Sequence, residues 1–419
     1  MANSSAKNIL TLLSGTASAQ VVAIVISIFT ARMFTPETFG EFGIYSSVAG
    51  IVVVAASLRY DMTIMLPDTD AEAKNIARLA TRSNIIVSII SVVLAFALHD
   101  VILKIWGSKI LADWMPLIGI TVFCSAQAFI FQYWFNRHKH YKVIALNRFE
   151  QTVGSSGGQL LFGLIGMRSF LGLTFGTFFG LIWAYLKLRF KTHDLREPVP
   201  PGTPTMRELA GRYKKMPLLN LPTALIDTVR ANGIQLIIGG IALGSLGQFN
   251  LAWRVLQAPI ALINSALSQV FFQQLSRVKP GEMYPAVKAI LKKSALLGVP
   301  PFVLLYILSP WLIPFVFGSQ WHMAGDIARA LTPWLAINLI SAPVSTVFVV
   351  TSRQQWTLLF SVVFAAAPLA WLFFSPLEFL QTLTVLATMM AAMLVFFIGM
   401  AVMAARGYDS LRREADDEI

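Results

Sequence analysis

Apolar residues along this chain gather into long runs separated by short polar connections. A bilayer core of about 30 Å is crossed by about 20 apolar residues in helical conformation, so each such run predicts one spanning helix. Twelve windows meet this condition, near 9–33, 41–66, 78–98, 110–134, 142–166, 170–189, 216–243, 247–275, 290–314, 326–350, 355–375 and 378–403. Prolines punctuate several of them (Pro222, Pro259, Pro300, Pro301), as membrane helices tolerate. The first window, after MANSSAKN, lacks the short apolar core and small-residue cleavage site of a signal peptide, and predicts a retained span.

Composition agrees with the pattern. The chain has 419 residues, 56% hydrophobic and 13% charged, with a mean hydropathy of +0.66. Soluble domains carry about 25% charged residues, so this chain lacks the polar surface to cover a globule in water. The single cysteine, Cys124, excludes a disulfide framework, and the five histidines have no zinc-site spacing.

The net charge of +12 then acquires a topological meaning. With a cytoplasmic N-terminus, the inward connections hold 25 of the 33 Lys and Arg residues and the outward ones five. Basic connections resist translocation, so the expected topology has both termini in the cytoplasm. The basic residues are matched to anionic membrane lipids, with no call for nucleic acid.

The longest polar connection, Lys191 to Met216, lies midway and is rich in proline and charge, as a linker is. The two halves resemble each other: TFGEFGIYSSV (Thr38 to Val48) aligns without gaps on SLGQFNLAWRV (Ser245 to Val255), an offset of 207 residues. The expected fold is an all-α polytopic membrane protein of twelve transmembrane helices, in two six-helix lobes related by a parallel pseudo-two-fold repeat around a central cavity. Its divisions would be an N-lobe (1–190), a cytoplasmic linker (191–215), a C-lobe (216–405) and a charged tail (406–419). In such a protein, polar residues on spans facing the repeat interface are candidates for the pathway.

TPETFGEFGIYSSVAGIVVVAASLRYDMTIMLPDTD (Thr35 to Asp70) resembles the N-terminal signature of the Wzx-type polysaccharide or O-antigen flippases. That family lies in the multidrug/oligosaccharidyl-lipid/polysaccharide exporter superfamily. FNLAWRVLQAPIALINSALSQVFFQQLS (Phe249 to Ser276) and FGSQWHMAGDIARALTPWLAINLISAPVSTVF (Phe317 to Phe348) resemble its second-lobe signatures. The resemblance implies movement of an undecaprenyl-diphosphate-linked oligosaccharide from the inner to the outer leaflet of a bacterial plasma membrane. The polymerase and other proteins of the same glycan pathway would be possible partners.

Carrying a diphosphate through hydrocarbon calls for fixed cations, and arginine stays charged and grips phosphate oxygens in pairs. At about 1.5 Å per residue, Arg59 lies roughly 10 Å inside the cytoplasmic face, Arg230 roughly 21 Å from it, and Arg254 roughly 10 Å below the outer face. These three are the candidate diphosphate steps, with snorkelling to headgroups the rival reading for Arg59 and Arg254. Arg254, Gln257, Ala261, Asn264 and Ser268 recur at three- and four-residue steps, a stripe suited to a sugar path or to helix packing. Asp227, three residues before Arg230, is expected either to clamp it mid-membrane or to couple transport to an ion gradient. Glu150, with Gln151 and Asn147, forms a second polar locus, and Asp61 is a further candidate acid. Arg148 is expected to turn back to the headgroups. No catalytic residue, metal or cofactor is expected beyond a coupling proton or sodium ion.

Two other functions compete. A multidrug exporter on the same scaffold would favour an acidic, aromatic cavity, against which stand the three deep arginines. A glycan polymerase or glycosyltransferase would need a large outer loop, and the longest outward connection, around HDVILKIWGSKI, has about a dozen residues. Other features read as structural. Gly172, Gly176 and Gly180 favour close helix contact; Thr35, Pro36 and Glu37 predict the start of a short outer helix between the first two spans; EMYPAVKAILKKS predicts a basic surface helix entering the ninth span.

Overall fold

The computed structural model describes residues 2–257, 260, 281–351 and 353–417, and these are helical with short connections. Two compact units divide them, Met1–Gly247 and Gln248–Ile419. Eight helices among the described residues are long and apolar enough to cross a membrane, and all twelve predicted windows fall on helices, the eighth as far as its described residues extend.

The first unit opens with α1 (Ala2–Met33), α2 (Pro36–Ala56) and α3 (Tyr60–Thr63). Thr35 caps α2 by accepting the Thr38 amide at 3.3 Å, and Pro36 occupies its first turn, where a missing N–H costs nothing. The cap therefore begins the second span itself, and the separate short outer helix expected there does not form. At the other end the span predicted over 41–66 is broken. Leu58 and Arg59 have φ of 51° and 63°, left-handed values that cost a non-glycine residue about 1–2 kcal/mol each. The turn is held because Tyr60 of α3 and Ile64 just after it are buried among Ala73, Ile76, Ala77, Ala80, Ile130, Trp134 and Leu209.

Next come α4 (Asp70–Ala97), two short helices α5 (His99–Trp106) and α6 (Lys109–Trp114), a 3-10 turn at Pro116, and α7 (Ile118–Arg137). Helices α8 (Tyr141–Leu164) and α9 (Phe170–Lys191) form an antiparallel pair in direct backbone contact. A Cβ on Gly158 would stand 2.5 Å from the Gly176 carbonyl oxygen, and one on Gly176 or Gly180 would strike the backbone of Gln159 or Ser155. Polar side chains rivet the seam: Asn147 donates to the Ala184 carbonyl at 3.0 Å, Ser155 to that of Thr177 at 3.1 Å, and Gln159 to the Thr177 hydroxyl at 2.9 Å. Gly172, the third predicted contact glycine, instead leaves room for the Met167 carbonyl of the preceding loop.

The connection expected as a linker is folded onto this unit. Its helix α10 (Met206–Arg212) starts in a capping box between Thr205 and Glu208 and buries Leu209 in the α3–α4–α7 cluster. A π-helical turn, Met216–Asn220, leads into α11 (Leu221–Ile241), which lies along α2 with Ser47 donating to Gln235 at 3.2 Å. Helix α12, described over 243–257, begins beside the start of α2. There Gly40 faces the carbonyl oxygen of Leu243 and Gly247 that of Pro36. Both pairs are related by the 207-residue offset of the sequence repeat, so the two contacts are copies of one another, as a local two-fold requires.

In the second unit, α13 (Met283–Phe317) runs 35 residues with Pro300, Pro301, Pro310 and Pro314 inside it. The basic segment from Met283 joins the ninth span without a break. Gly325 of α14 (His322–Ser341) lets that helix meet α13, its Cβ position 2.8 Å from Pro310 Cα. After α15 (Val347–Val350) and α16 (Gln354–Phe374), α17 (Phe379–Asp417) returns to α13. Asp409 there accepts the backbone amides of Gly281, Met283 and Tyr284 at 2.8, 3.0 and 2.8 Å, capping α13 across 126 residues of sequence.

Candidate functional site

Polar groups inside the span region of the first unit converge on a cavity of about 300 Å³ bounded by α2, α7, α8 and α9. Helical periodicity builds it. Phe42, Tyr45, Ser46, Ala49, Gly50 and Val53 share one face of α2, and Thr121, Ser125, Ala128 and Gln132 share one face of α7. Gln151 enters from α8 and Thr177 from α9. The Tyr45 and Thr121 hydroxyls are 2.6 Å apart. Arg148 Nε donates to Gln132 Oε1 at 3.1 Å, so its guanidinium is held against α7 and does not turn back to the headgroups as expected. No carboxylate lines this cavity.

Just beyond it, Glu150 pairs with Lys187 of α9 and accepts the Trp183 indole N–H at 3.3 Å. Its carboxylate is therefore already engaged within the α8–α9 pair.

The deep arginines occupy three different settings. Arg59 sits at the left-handed break and not inside a helix. Its Nε donates to Asn220 Oδ1 at 2.9 Å, and Nη2 lies 2.7 Å from the Met62 sulfur. Asp61 is buried and accepts the Ser57 hydroxyl at 2.7 Å. The two charges serve separate contacts, through a broken helix rather than opposite faces of a continuous one. On α11 the side chains of Asp227 and Arg230 are 68% and 39% exposed, and their nearest charged atoms are 3.8 Å apart. That distance exceeds a hydrogen bond, so the pair is not the buried clamp that its depth suggested. Arg254 and Gln257 are half-buried on α12, in the segment that Trp253 fixes by stacking on Phe249 at 5.8 Å and meeting Trp334 at 5.4 Å. Asn264 lies outside the described residues.

Sequence reading found Gln151, Asn147 and Glu150 but missed the hydroxyl face of α7. The signal was present: Thr121, Ser125 and Gln132 recur at four- and seven-residue steps, hidden in a window otherwise rich in Phe and Ile.

The arrangement of long apolar helices with a polar interior face defines a polytopic membrane protein, and comparison places it. Residues 29–326 match the model of the polysaccharide biosynthesis protein family, and the chain belongs to that family. No match is found among curated proteins. Among solved structures the fold is similar to the lipid II flippase MurJ in an inward closed conformation, with 12% identity and a TM-score of 0.77 over 96% of this chain and 90% of that one. It is also similar to an inward-facing multidrug resistance MATE family transporter of the MOP superfamily, with 14% identity and a TM-score of 0.70 over 96% and 99%. A MOP-superfamily transporter from Pyrococcus furiosus gives 13% and 0.60 over 96% of each chain. The protein has the fold of the MOP-superfamily transporters.

Proposed function

We propose that the protein is a flippase moving a polyprenyl (undecaprenyl) diphosphate-linked oligosaccharide repeat unit from the inner to the outer leaflet of the bacterial inner membrane. It works by alternating access, with both termini cytoplasmic, in the synthesis of a surface polysaccharide such as O-antigen or exopolysaccharide. The observation that carries this reading is the chemistry of the polar surface within the spans. Ser46, Thr121, Ser125, Gln132, Gln151 and Thr177 offer hydroxyls and amides, with no carboxylate in the lining, and Arg230 stands open on α11. Hydroxyls and amides exchange hydrogen bonds with sugars as readily as water does, and a guanidinium forks onto a diphosphate.

Translocation breaks no covalent bond, so the protein acts as a transporter and not as an enzyme. Arg59, Arg230 and Arg254 serve as successive cationic steps, with Gln257 and Asn264 continuing the path. Glu150 is held by Lys187, so the weight of coupling to a proton or sodium gradient shifts to the more open Asp227. A multidrug exporter is the competing reading, and organic cations would be served better by an acidic lining.

The test is complementation of surface glycan in a strain lacking the gene. Arg230→Ala and Arg254→Ala should each severely reduce glycan at matched expression, while Lys288→Ala should not. Wild-type glycan in both arginine variants would sink the cationic path. Vesicle assays with proton and sodium gradients, in wild type and Asp227→Asn, decide the coupling role; indifference to every gradient removes Asp227 from it.

A further inference from the structure

A second polar cavity, of about 290 Å³, lies in the first unit where α4, α7 and the end of α9 meet the turn at 194–196. Four arginines ring it: Arg78 and Arg82 from α4, Arg189 from α9 and Arg196 from the turn. Phe131 and Leu195 supply apolar lining. At about 30 Å³ per water, the space holds about ten waters or one phosphodiester group with its glycerol.

Four like charges around one cavity repel unless something anionic sits among them, and the protein's own acids do not. Arg78 donates to the Asn75 side chain at 3.2 Å and the Glu197 carbonyl at 2.6 Å. Arg189 donates to the Tyr185 hydroxyl at 3.0 Å, and Arg196 to the Arg189 carbonyl at 3.0 Å. All of these acceptors are neutral. The two nearby carboxylates are committed elsewhere: Asp194 accepts the Trp134 indole N–H at 2.8 Å, and Glu197 pairs with Lys74 at 3.0 Å. No acidic side chain lines the cavity.

Its position identifies the anion's source. One turn beyond Arg82, α4 turns apolar and outward, with Ile86 and Ile89 exposed by 58% and 59%, and Phe190 is exposed beside Arg189. On a spanning helix, large apolar side chains exposed in this way face acyl chains. A ring of cations at the edge of that belt places phosphate-binding groups at headgroup level, the geometry of a lipid site and not of a free-anion site. We propose that this cavity binds the headgroup of an anionic glycerophospholipid whose acyl chains lie along α4 and α9. The bound phosphate joins the turn at 194–196 to α4 and α9 and cancels their mutual repulsion. The site is independent of the flippase reading, since it concerns bulk lipid and shares no lining residue with the first cavity.

The experiment uses the full-length protein in detergent. Native mass spectrometry counts bound phosphatidylglycerol against phosphatidylcholine, and thermal unfolding is followed with each lipid and with inorganic phosphate at matched ionic strength. Phosphatidylglycerol should bind in preference and raise Tm, with phosphatidylcholine and inorganic phosphate leaving Tm unchanged. Arg82→Gln, at an exposed side chain, should weaken phosphatidylglycerol binding about tenfold through loss of a charge-assisted contact, and Arg82→Gln/Arg196→Gln further still. The control Lys292→Gln/Lys293→Gln, on exposed lysines of α13, should bind as wild type does. Equal binding of the two lipids by wild type, a full Tm rise with phosphate alone, or undiminished phosphatidylglycerol binding in Arg82→Gln would each overturn the proposal.

Discussion

Removing Lys187 while keeping Glu150 tests whether that pair is structural. Both side chains are about three-quarters buried, 25% and 24% exposed, and among the described residues the other hydrogen bond to the Glu150 carboxylate comes from Trp183 Nε1. Breaking a fully buried ion pair by deleting one partner costs about 3–5 kcal/mol, and an exposed pair contributes about 0–1 kcal/mol. For a pair exposed to this degree, Lys187→Met should cost about 2 kcal/mol, because the carboxylate is left with one indole N–H. Glu150→Gln should cost less, since Lys187 can extend its ammonium to the headgroups. The double variant should recover to within about 0.5 kcal/mol of Glu150→Gln alone, because no uncompensated charge remains. Reversible unfolding in mixed micelles measures the cycle, and glycan complementation is read alongside. Additive single-variant costs would refute the pairing argument. A double variant that is stable yet inactive would return Glu150 to the coupling role.

Three further expectations follow from the packing. Gly176→Val and Gly180→Val should each destabilise the protein by about 1–3 kcal/mol through overpacking, because their side chains would enter the α8 backbone; Gly157→Ala, in open space, should be neutral in the same unfolding assay. Asp409→Ala should cost about 1–2 kcal/mol by orphaning the Gly281 amide and the first two amides of α13, and hydrogen exchange should rise first at 281–284. His99, in the connection between two spans, is held above its usual pKa by Asp113 first and then Asp100, at 2.9 and 3.1 Å. Its contribution to stability is complete below the unfolded value of about 6.5 and is lost as pH rises through the folded value. A stability gap between wild type and His99→Gln at about pH 5.5 should therefore shrink toward about pH 8.5 and weaken with salt; a gap that widens with pH would contradict it.

Much of the architecture was legible because membrane insertion reads a local quantity. About 20 apolar residues make a span wherever they occur, so all twelve windows could be marked from hydropathy alone. The glycine seam of α9 and the 207-residue repeat were legible for a related reason: both are spacings along the chain. Gly176 and Gly180 lie four residues apart on one helix face, and Gly40 and Gly247 come from aligned copies of one motif.

Charges and polar side chains within the spans were located by sequence but not interpreted by it. The depth of Arg230 followed from counting residues, yet its exposure depends on the rotation of α11 against α2. Glu150 looked like a free acid until α9 brought Lys187 to it, and Asp409 lay in a polar tail until α17 carried it to the first turn of α13. The break at Leu58 and Arg59 was hidden because left-handed backbone in a non-glycine residue has no compositional mark; it persists through the burial of Tyr60 and Ile64. Hydropathy along the chain determined that these helices exist and roughly where they start and stop. Which face each one turns to which neighbour was decided by side-chain packing and pairing across tens to more than a hundred residues, and that orientation determines whether an arginine is a clamp or an open site.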